Sequence, residues 1–569
     1  MKYFLKITRP TKKGEYLQIY ISDYTPGIGS RNHRHETLGY VCDLVKRGIP
    51  DPVSHYKKEI EKMNEGLLPS PQIEEVSLSS HAGHFLAKAM FDRLGMDRDI
   101  DIMTGERKSS FKMSEFLRVM AYAQIIRPGS KLKAFERVIP NLYGCPQFSY
   151  DQILDAVSYM GSDYQKYIEC LNKAVSKNWE RDFGRTYFDC TNYYFEIDQE
   201  DSLRRKGPSK ENRKSPIIGQ ALMLDSGQIP VAMKMYPGNQ SEKPYLRKTV
   251  EDMKARYNIK SKIVEVADKG LNCAKNIYYL SKEGKDGYIF SKAFRGNGVS
   301  SADKEWVVLD TPQQNWKDVR DREGNLLYRY KETVETYDYS FIDDDGSEVT
   351  FKKREKRIAA YTPDLARKQR MEIDKEVDRL DRATMRGVAR SELGSKSKYL
   401  NIEPKDGKGK DVKIRLSLDQ GKIDEDKKYA GYNLIVTSET KMSAKEIYRA
   451  YHGLWRIEES FRIMKSYLEA RPAFMKTEDS IYGHFLIVYV ALTIMRLLEL
   501  KTFEDAIPVS QLFEFMRNYN VTKDKNGSYI NASTRSATYE AIKEKLGLLK
   551  LGNLYLSKKD LDALFKTEV

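Results

Sequence analysis

Residues 443–470, SAKEIYRAYHGLWRIEESFRIMKSYLEA, read as one amphipathic helix whose apolar stripe is interrupted by charge. Ile447, Tyr451, Leu454, Glu458, Phe461, Lys465 and Leu468 follow one another at alternating spacings of four and three, so they share one helical face. Glu458 and Lys465 stand where packing alone favours hydrocarbon, and a carboxylate taken from water needs a cation or a metal ion beside it. Tyr451, Glu458 and Lys465 recur every seven residues, nearly two turns, which aligns a phenol, a carboxylate and an ammonium along one ridge. Such a ridge suits a surface that holds a metal and grips a phosphate. A plain Glu458–Lys465 ion pair on a half-exposed helix, with Tyr451 as packing, explains the same pattern. Ser443 and Glu446 form a capping box that starts the helix.

Just before it, YNLIVTSE (432–439) has strand character, and the alternation of strands and helices extends upstream. RTYFDCTNYYFE from Arg185, PIIGQALMLD, QIPVAMKMY, KIVEVAD and YIFSKA are strand-length runs, with DSGQ as a tight turn between the second and third. A helical pattern, NCAKNIYYLSKEG, separates the last two. This order predicts an α/β fold with a mixed sheet. Between 296 and 428 the pattern breaks into charged hairpins, a charged helix near KQRMEIDKEVDRLDRA and a Lys/Gly-rich stretch, GKGKDVK, and reads as a β-rich insertion.

The remaining divisions follow from composition. Residues 1–50 alternate around Lys13-Gly14 and Pro26-Gly27 as an N-terminal β-hairpin module, and 51–180 are a helical region with the composition of a bundle or helix-turn-helix arm. Residues 181–295 and 429–500 are the two parts of the α/β core, and 501–569 is a C-terminal helical region.

Two further acids sit where strands carry or release chemistry. Alternation puts Tyr187, Asp189, Thr191 and Tyr193 on one face of a strand, an expensive place for a carboxylate. Asp268 directly follows the run IVEVA and precedes Lys269-Gly270, which is either an active-site exit or an ordinary turn-capping Asp. Two strand acids and one helix acid suit a two-Mg²⁺ site, since hard cations take oxygen ligands and a metal pair steadies both oxygens of a phosphodiester exchange. No GxxxxGK[ST], HExxH or GxSxG occurs. His81 and His84 of HAGH lack a third ligand and are assigned to packing or surface.

The 569 residues exceed one core and predict roughly three to five structural units. Lys and Arg total 97 against 82 Asp and Glu, a formal net charge of +15 that favours polyanions, with the charges interspersed so that any nucleic-acid surface is assembled by folding. Five scattered cysteines without a CxxC read as reduced, the pattern of a reducing cytosol. The N-terminus lacks the apolar core of a signal peptide, and FLIVYVALTIM (485–495) is too short for a bilayer and reads as a core helix, so no membrane partner is expected.

In this order the three acids resemble a bacterial insertion-sequence DDE transposase of the insertion-sequence-four superfamily, with an RNase H-like core. That family's signature is Tyr, two residues, Arg, three residues, Glu, six residues, Lys. Here YHGLWRIEESFRIMK supplies Tyr451, Glu458 and Lys465, while Leu454 stands in the Arg position and Arg456 or Arg462 is the available substitute. RPGSK (127–131), YPGNQSE (236–242), VADKG (266–270) and RPAF followed by YGHFLIVYVAL resemble the same group. The resemblance implies metal-dependent cleavage at the ends of a mobile element and strand transfer into target DNA. It implies two Mg²⁺ ions, with Mn²⁺ as a substitute, on Asp189, Asp268 and Glu458. Tyr451, Trp455, Arg456, Arg462 and Lys465 would meet DNA, with packing under the helix as the other reading of Trp455.

The implied partners are double-stranded DNA, as terminal inverted repeats and target, and a second copy in a homodimer on paired ends; the location is the bacterial cytoplasm. In relatives the insertion closes over the element end, so Trp306 and Trp316 are candidates for stacking on a base, though a buried hairpin Trp fits either one. The basic runs 204–214 and 352–357 are candidates for the DNA backbone or simply solvated faces. A non-catalytic DNA-binding descendant and a general RNase H-like nuclease are the competing classes.

Overall fold

The computed structural model describes residues 2–11, 13–25, 29–65, 79–105, 111–210, 214–283, 285–294, 301–311, 315–385, 398–405, 413–524 and 527–569. The Pro26-Gly27 turn, residues 211–213 of the first basic run and most of GKGKDVK lie outside them. The chain forms two compact units, residues 1–79 with 522–530 and 554–558, and the rest.

In the first unit, strands β1 (Lys2–Thr11), β2 (Gly14–Thr25) and β3 (Gly29–Tyr40) make an antiparallel meander, with Leu17 and Ile19 buried on its inner face. A helix, Pro52–Glu65, is tied to it by Asn64, whose side chain exchanges two 2.8 Å hydrogen bonds with the Tyr3 backbone.

The second unit is built on a nine-stranded mixed sheet. Its strands are β4 (Arg185–Tyr194), β5 (Ile217–Leu224), β6 (Pro230–Pro237), β7 (Val264–Ala267), β8 (Gly287–Ser291), β9 (Lys317–Arg320), β10 (Leu326–Ile342), β11 (Glu348–Tyr361) and β12 (Tyr432–Thr437), in the spatial order β9-β10-β11-β12-β8-β7-β4-β5-β6. β4, β5 and β6 are antiparallel neighbours, whereas β7 lies parallel to β4, and β8 parallel to β7. The DSGQ segment makes the β5–β6 turn, with Gln228 at φ 65° and its N–H on the Asp225 carbonyl at 2.8 Å.

The segment 296–428 divides. β10 and β11 form a long hairpin that pairs through β11 onto β12, so these strands extend the core sheet rather than closing a sheet of their own. A second part, with helices Pro363–Met385 and Gln420–Lys428 and a two-stranded sheet, gathers its own small core of Ile373, Leu380, Tyr399, Leu400 and Ile423.

Helices cover both faces of the sheet. Phe188 and Cys190 of β4 point into one apolar cluster with Leu246, Val250 and Met253 of helix Lys243–Tyr257. Tyr187, Thr191 and Tyr193 face the other way, toward the 443–470 segment and helix Glu478–Leu497, whose Phe485 ring lies 4.7 Å from that of Tyr193. Period-two alternation thus separates core from site along a single strand.

The helix Glu478–Leu497 carries the apolar run 485–495 and is the one described helix apolar and long enough to cross a membrane; 94% of its apolar window is buried within the chain. Glycines let it approach helix Tyr150–Ser162 backbone to backbone: a Cβ on Gly483 would lie 1.9 Å from the Val157 carbonyl oxygen, and one on Gly161 would lie 1.7 Å from that of Asp479. All five cysteines are free, and His84 is buried, 3.5 Å from Cys145 Sγ, in a packing role.

Candidate active site

Phe188 of β4 and Ala267 of β7 are paired in parallel register, so the next residues, Asp189 and Asp268, emerge side by side from neighbouring strands. The Asp268 carboxylate accepts the Ser291 hydroxyl at 2.8 Å from the end of β8 and, at 3.3 Å, the Tyr451 hydroxyl. Asp189 is half-buried and accepts the Cys190 N–H at 2.7 Å. Burial raises its carboxyl to about 6; Lys210 opposes that shift, and the negative charges of Glu242 and Asp268 add to it.

The helix expected over 443–470 is present in pieces. It runs Ala444–His452 behind the Ser443–Glu446 capping box, tightens through a turn, resumes as Trp455–Arg462 and widens into a π-turn at Ile463–Tyr467. The tightening is visible in i→i+3 bonds, Leu454 N–H to Tyr451 at 3.1 Å and Arg456 N–H to Gly453 at 3.2 Å; the widening is the Leu468 N–H on the Ile463 carbonyl at 2.8 Å. Such changes of pitch rotate the faces relative to a uniform 3.6-residue helix.

Ile447, Leu454, Phe461 and Leu468 are buried as expected, but Glu458 is not an inward-facing acid: its side chain is exposed at the mouth of the site. Its carboxyl is still raised, by desolvation first and by the charge of Asp268 second, with Lys210 and Lys368 opposing.

The segment lies along the Tyr187–Tyr193 face of β4. Gly453 packs on the Tyr187 ring, and Lys465 donates to Thr191 Oγ1 at 2.7 Å with its ammonium 5.3 Å from the Tyr193 ring. Burial depresses Lys465 to about 8, and the charge of Lys210 adds to the depression.

The basic residues of the segment separate. Arg456, expected on the DNA side, is 5% exposed and turned inward. It pairs with Glu459 at 3.1 Å, Glu499 at 3.5 Å and Asp505, in a network shared with the fully buried Arg496. Buried and paired with carboxylates, the Arg456 guanidinium is turned away from the solvent-facing side on which DNA would lie. Arg462 keeps most of its side chain in solvent while touching Glu459 at 3.1 Å, and Trp455 is 50% exposed with the Arg456 guanidinium 4.0 Å from its ring centroid.

Trp306 and Trp316, both half-buried, line one open cavity of about 600 Å³, with the Lys331 ammonium 5.0 and 4.9 Å from the two rings. Of the basic run 352–357, Lys352 and Arg354 are exposed, but Lys356 and Arg357 are buried against Glu332 at 3.2 Å and Asp303 at 2.7 Å.

Sequence reading missed Lys210 and Glu242. Both had a signal: Lys210 lies in the 204–214 basic run, and Glu242 ends YPGNQSE just beyond a strand.

Among the described residues, no three His, Cys, Asp or Glu side chains converge closely enough to hold a metal ion as they stand. The donors nevertheless fit a hard divalent cation in kind: they are carboxylates, and the Asp189 and Glu458 carboxyls are raised by burial first and then by neighbouring negative charge, Asp268 acting on both.

Residues 195–494, more than half of the chain, match the family described as "Transposase DDE domain". Asp268 and Glu458 fall inside that stretch, and Asp189 lies just before it. No curated protein matches the sequence. Among solved structures, the chain is similar to the piggyBac transposase synaptic complex with hairpin DNA, with a TM-score of 0.35 and 10% identity over 85% of each chain.

Proposed function

Because this chain belongs to the transposase DDE domain family, we propose that it is an insertion-sequence transposase of the insertion-sequence-four type. In this reading it cleaves double-stranded DNA at the ends of a mobile element and joins them to a target. The observation that carries the reading is the placement of Asp189 and Asp268 one residue beyond the paired Phe188 and Ala267 of neighbouring strands, with the charge of Asp268 felt by Glu458 on the helical segment beside them. The strand order β6-β5-β4-β7-β8, with its first three strands antiparallel and the last two parallel, supports an RNase H-like core.

DDE transposases generally use divalent metal ions, and Asp189, Asp268 and Glu458 are the residues that would hold them, as Mg²⁺ or Mn²⁺. Bound there, the ions would supply an activated oxygen nucleophile and stabilise charge on the leaving oxygen. The protein's own groups do the rest. Ser291 and Tyr451 orient the Asp268 carboxylate by donating to it. Lys465, anchored on Thr191, offers a point charge to a DNA phosphate. Arg462, exposed on the same segment, takes the phosphate role left by Leu454. Trp306 and Trp316, around their shared cavity, offer stacking surface for a base. Bringing two ends together calls for a homodimer.

The test is cleavage of a DNA fragment carrying the ends of the source element, with Mg²⁺ or Mn²⁺, by wild type and Glu458→Gln. Nicking at the element boundary that disappears in the variant while DNA binding survives supports the transposase. Binding without cleavage by either protein replaces it with a non-catalytic DNA-binding descendant, and end-independent cleavage with a general nuclease.

A further inference from the structure

Two charged side chains outside the three acids and the signature converge on the same corner. The Lys210 ammonium donates to the carbonyl of Cys190, the residue after Asp189, and stands 4.0 Å from Glu242 Oε2. Glu242, at the N-terminus of helix Lys243–Tyr257, lies over the turn that follows Asp268. A Cβ on Gly270 would come within 2.7 Å of Glu242 Oε1, so that position has room only for glycine while Glu242 is seated there.

Glu242 is therefore seated against the Asp268 turn, and Lys210 against the Asp189 strand, bridged to each other. Both line a cavity of about 380 Å³, together with Thr191, Asn192, Gln240 and Gly270. The electrostatics agree with this placement. Lys210 acts on both Asp189 and Glu458, and Glu242 acts on Asp189 more strongly than Asp268 does.

We infer that Glu242 is a fourth carboxylate of the metal-binding site and that Lys210 is the resident counter-ion, which a divalent cation displaces on entry. The inference rests on the reading of Asp189, Asp268 and Glu458 as metal-binding acids. Carboxylates brought together without a cation repel one another, and an ammonium among them offsets that repulsion. The same ammonium competes with a metal at Glu242 Oε2, 4.0 Å away, and its charge opposes that of an incoming cation at Asp189 and Glu458. Its long stem makes displacement simple, because the Lys210 side chain is 48% exposed and its head can swing to water or to a DNA phosphate. Lys210 thus offsets the repulsion among the acids without metal, and Glu242 adds an oxygen donor on the Asp268 side.

The test is Mn²⁺ binding to the full-length, DNA-free chain by calorimetry. Removing the competitor in Lys210→Met tightens binding by roughly threefold to tenfold, Lys210→Arg leaves it near wild type, and Glu242→Gln weakens it about tenfold. Wild-type affinity in both Lys210→Met and Glu242→Gln overturns the inference, as does weaker binding in Lys210→Met. Asp189→Asn separates the two levels. If it weakens Mn²⁺ binding while Lys210→Met and Glu242→Gln do not, only this inference fails; if it too is unchanged, the metal-binding reading of the acids fails with it.

Discussion

Gly453 rests directly on the ring of Tyr187: a Cβ built on it would lie 2.5 Å from the phenol oxygen and 2.6 Å from Cε1. Tyr187 is two residues before Asp189 on the same face of β4, so this contact sets how closely the Glu458-bearing segment approaches the strand acids. Gly453 has ordinary helical backbone angles, φ −59° and ψ −17°, and its requirement for glycine is steric. Gly453→Ala is expected to destabilise the protein by about 1–3 kcal/mol and to lower cleavage. The loss is relieved in the double variant with Tyr187→Ala, measured by thermal melting and end cleavage; an additive double variant would sever the contact from the effect.

Glu265, on β7 between Val264 and Val266, is fully buried; it accepts the Thr186 hydroxyl at 2.5 Å, and its other carboxyl oxygen has no hydrogen-bond partner. Burial raises it to about 8 from an ordinary 4.5, so the fold prefers its neutral form. Below pH 4.5 both folded and unfolded chains are protonated, and between 4.5 and 8 the unfolded chain ionises first, so stability falls as pH rises. Glu265→Gln is expected to raise stability by roughly 2–4 kcal/mol at pH 8 and by much less at pH 4.5. Denaturant titrations at the two pH values check this, and equal gains at both would reject it.

Lys465 is held near 8, within reach of an ordinary buffer range. Its ammonium is present below that pH and lost above it, so affinity for element-end DNA is expected to fall as pH rises from 7 to 9. Lys465→Arg keeps its charge across that range and flattens the profile. Fluorescence anisotropy measures both, and an equal fall in the two proteins would assign the pH dependence elsewhere.

Arg456 and Arg462 are expected to divide stability from binding. Arg456→Ala leaves the buried Glu499 short of a partner and costs about 2–4 kcal/mol, seen as a lower Tm. Arg462→Ala leaves Tm unchanged and weakens DNA binding, with a shallower salt dependence by about one ion. The reverse pattern would return Arg456 to the DNA surface.

The local pattern of the chain specified a good deal. Alternation along RTYFDCTNYYFE separated Phe188 and Cys190, which went to the core, from Tyr187, Asp189 and Thr191, which went to the site. The strand-then-acid pattern placed Asp268 at a strand exit, the Ser443 capping box started the right helix, and the run 485–495 became a buried core helix. These features depend on neighbours within a few residues, and periodicity reads them directly.

Tertiary structure decided the rest. The turn at Gly453 and the π-turn at Ile463–Tyr467 break the uniform helical pitch, and Glu458 is exposed while Leu454 and Phe461 of the same expected stripe are buried. Arg456 and Arg462 look alike in sequence, yet one is enclosed by Glu499 and Asp505 from a distant segment and the other is open. Lys210 and Glu242 reached Asp189 and the Asp268 turn across long stretches of chain. Periodicity assigns a residue to a side of its own element; which element packs there, and where a long charged side chain comes to rest, is fixed only by contacts between segments far apart in sequence.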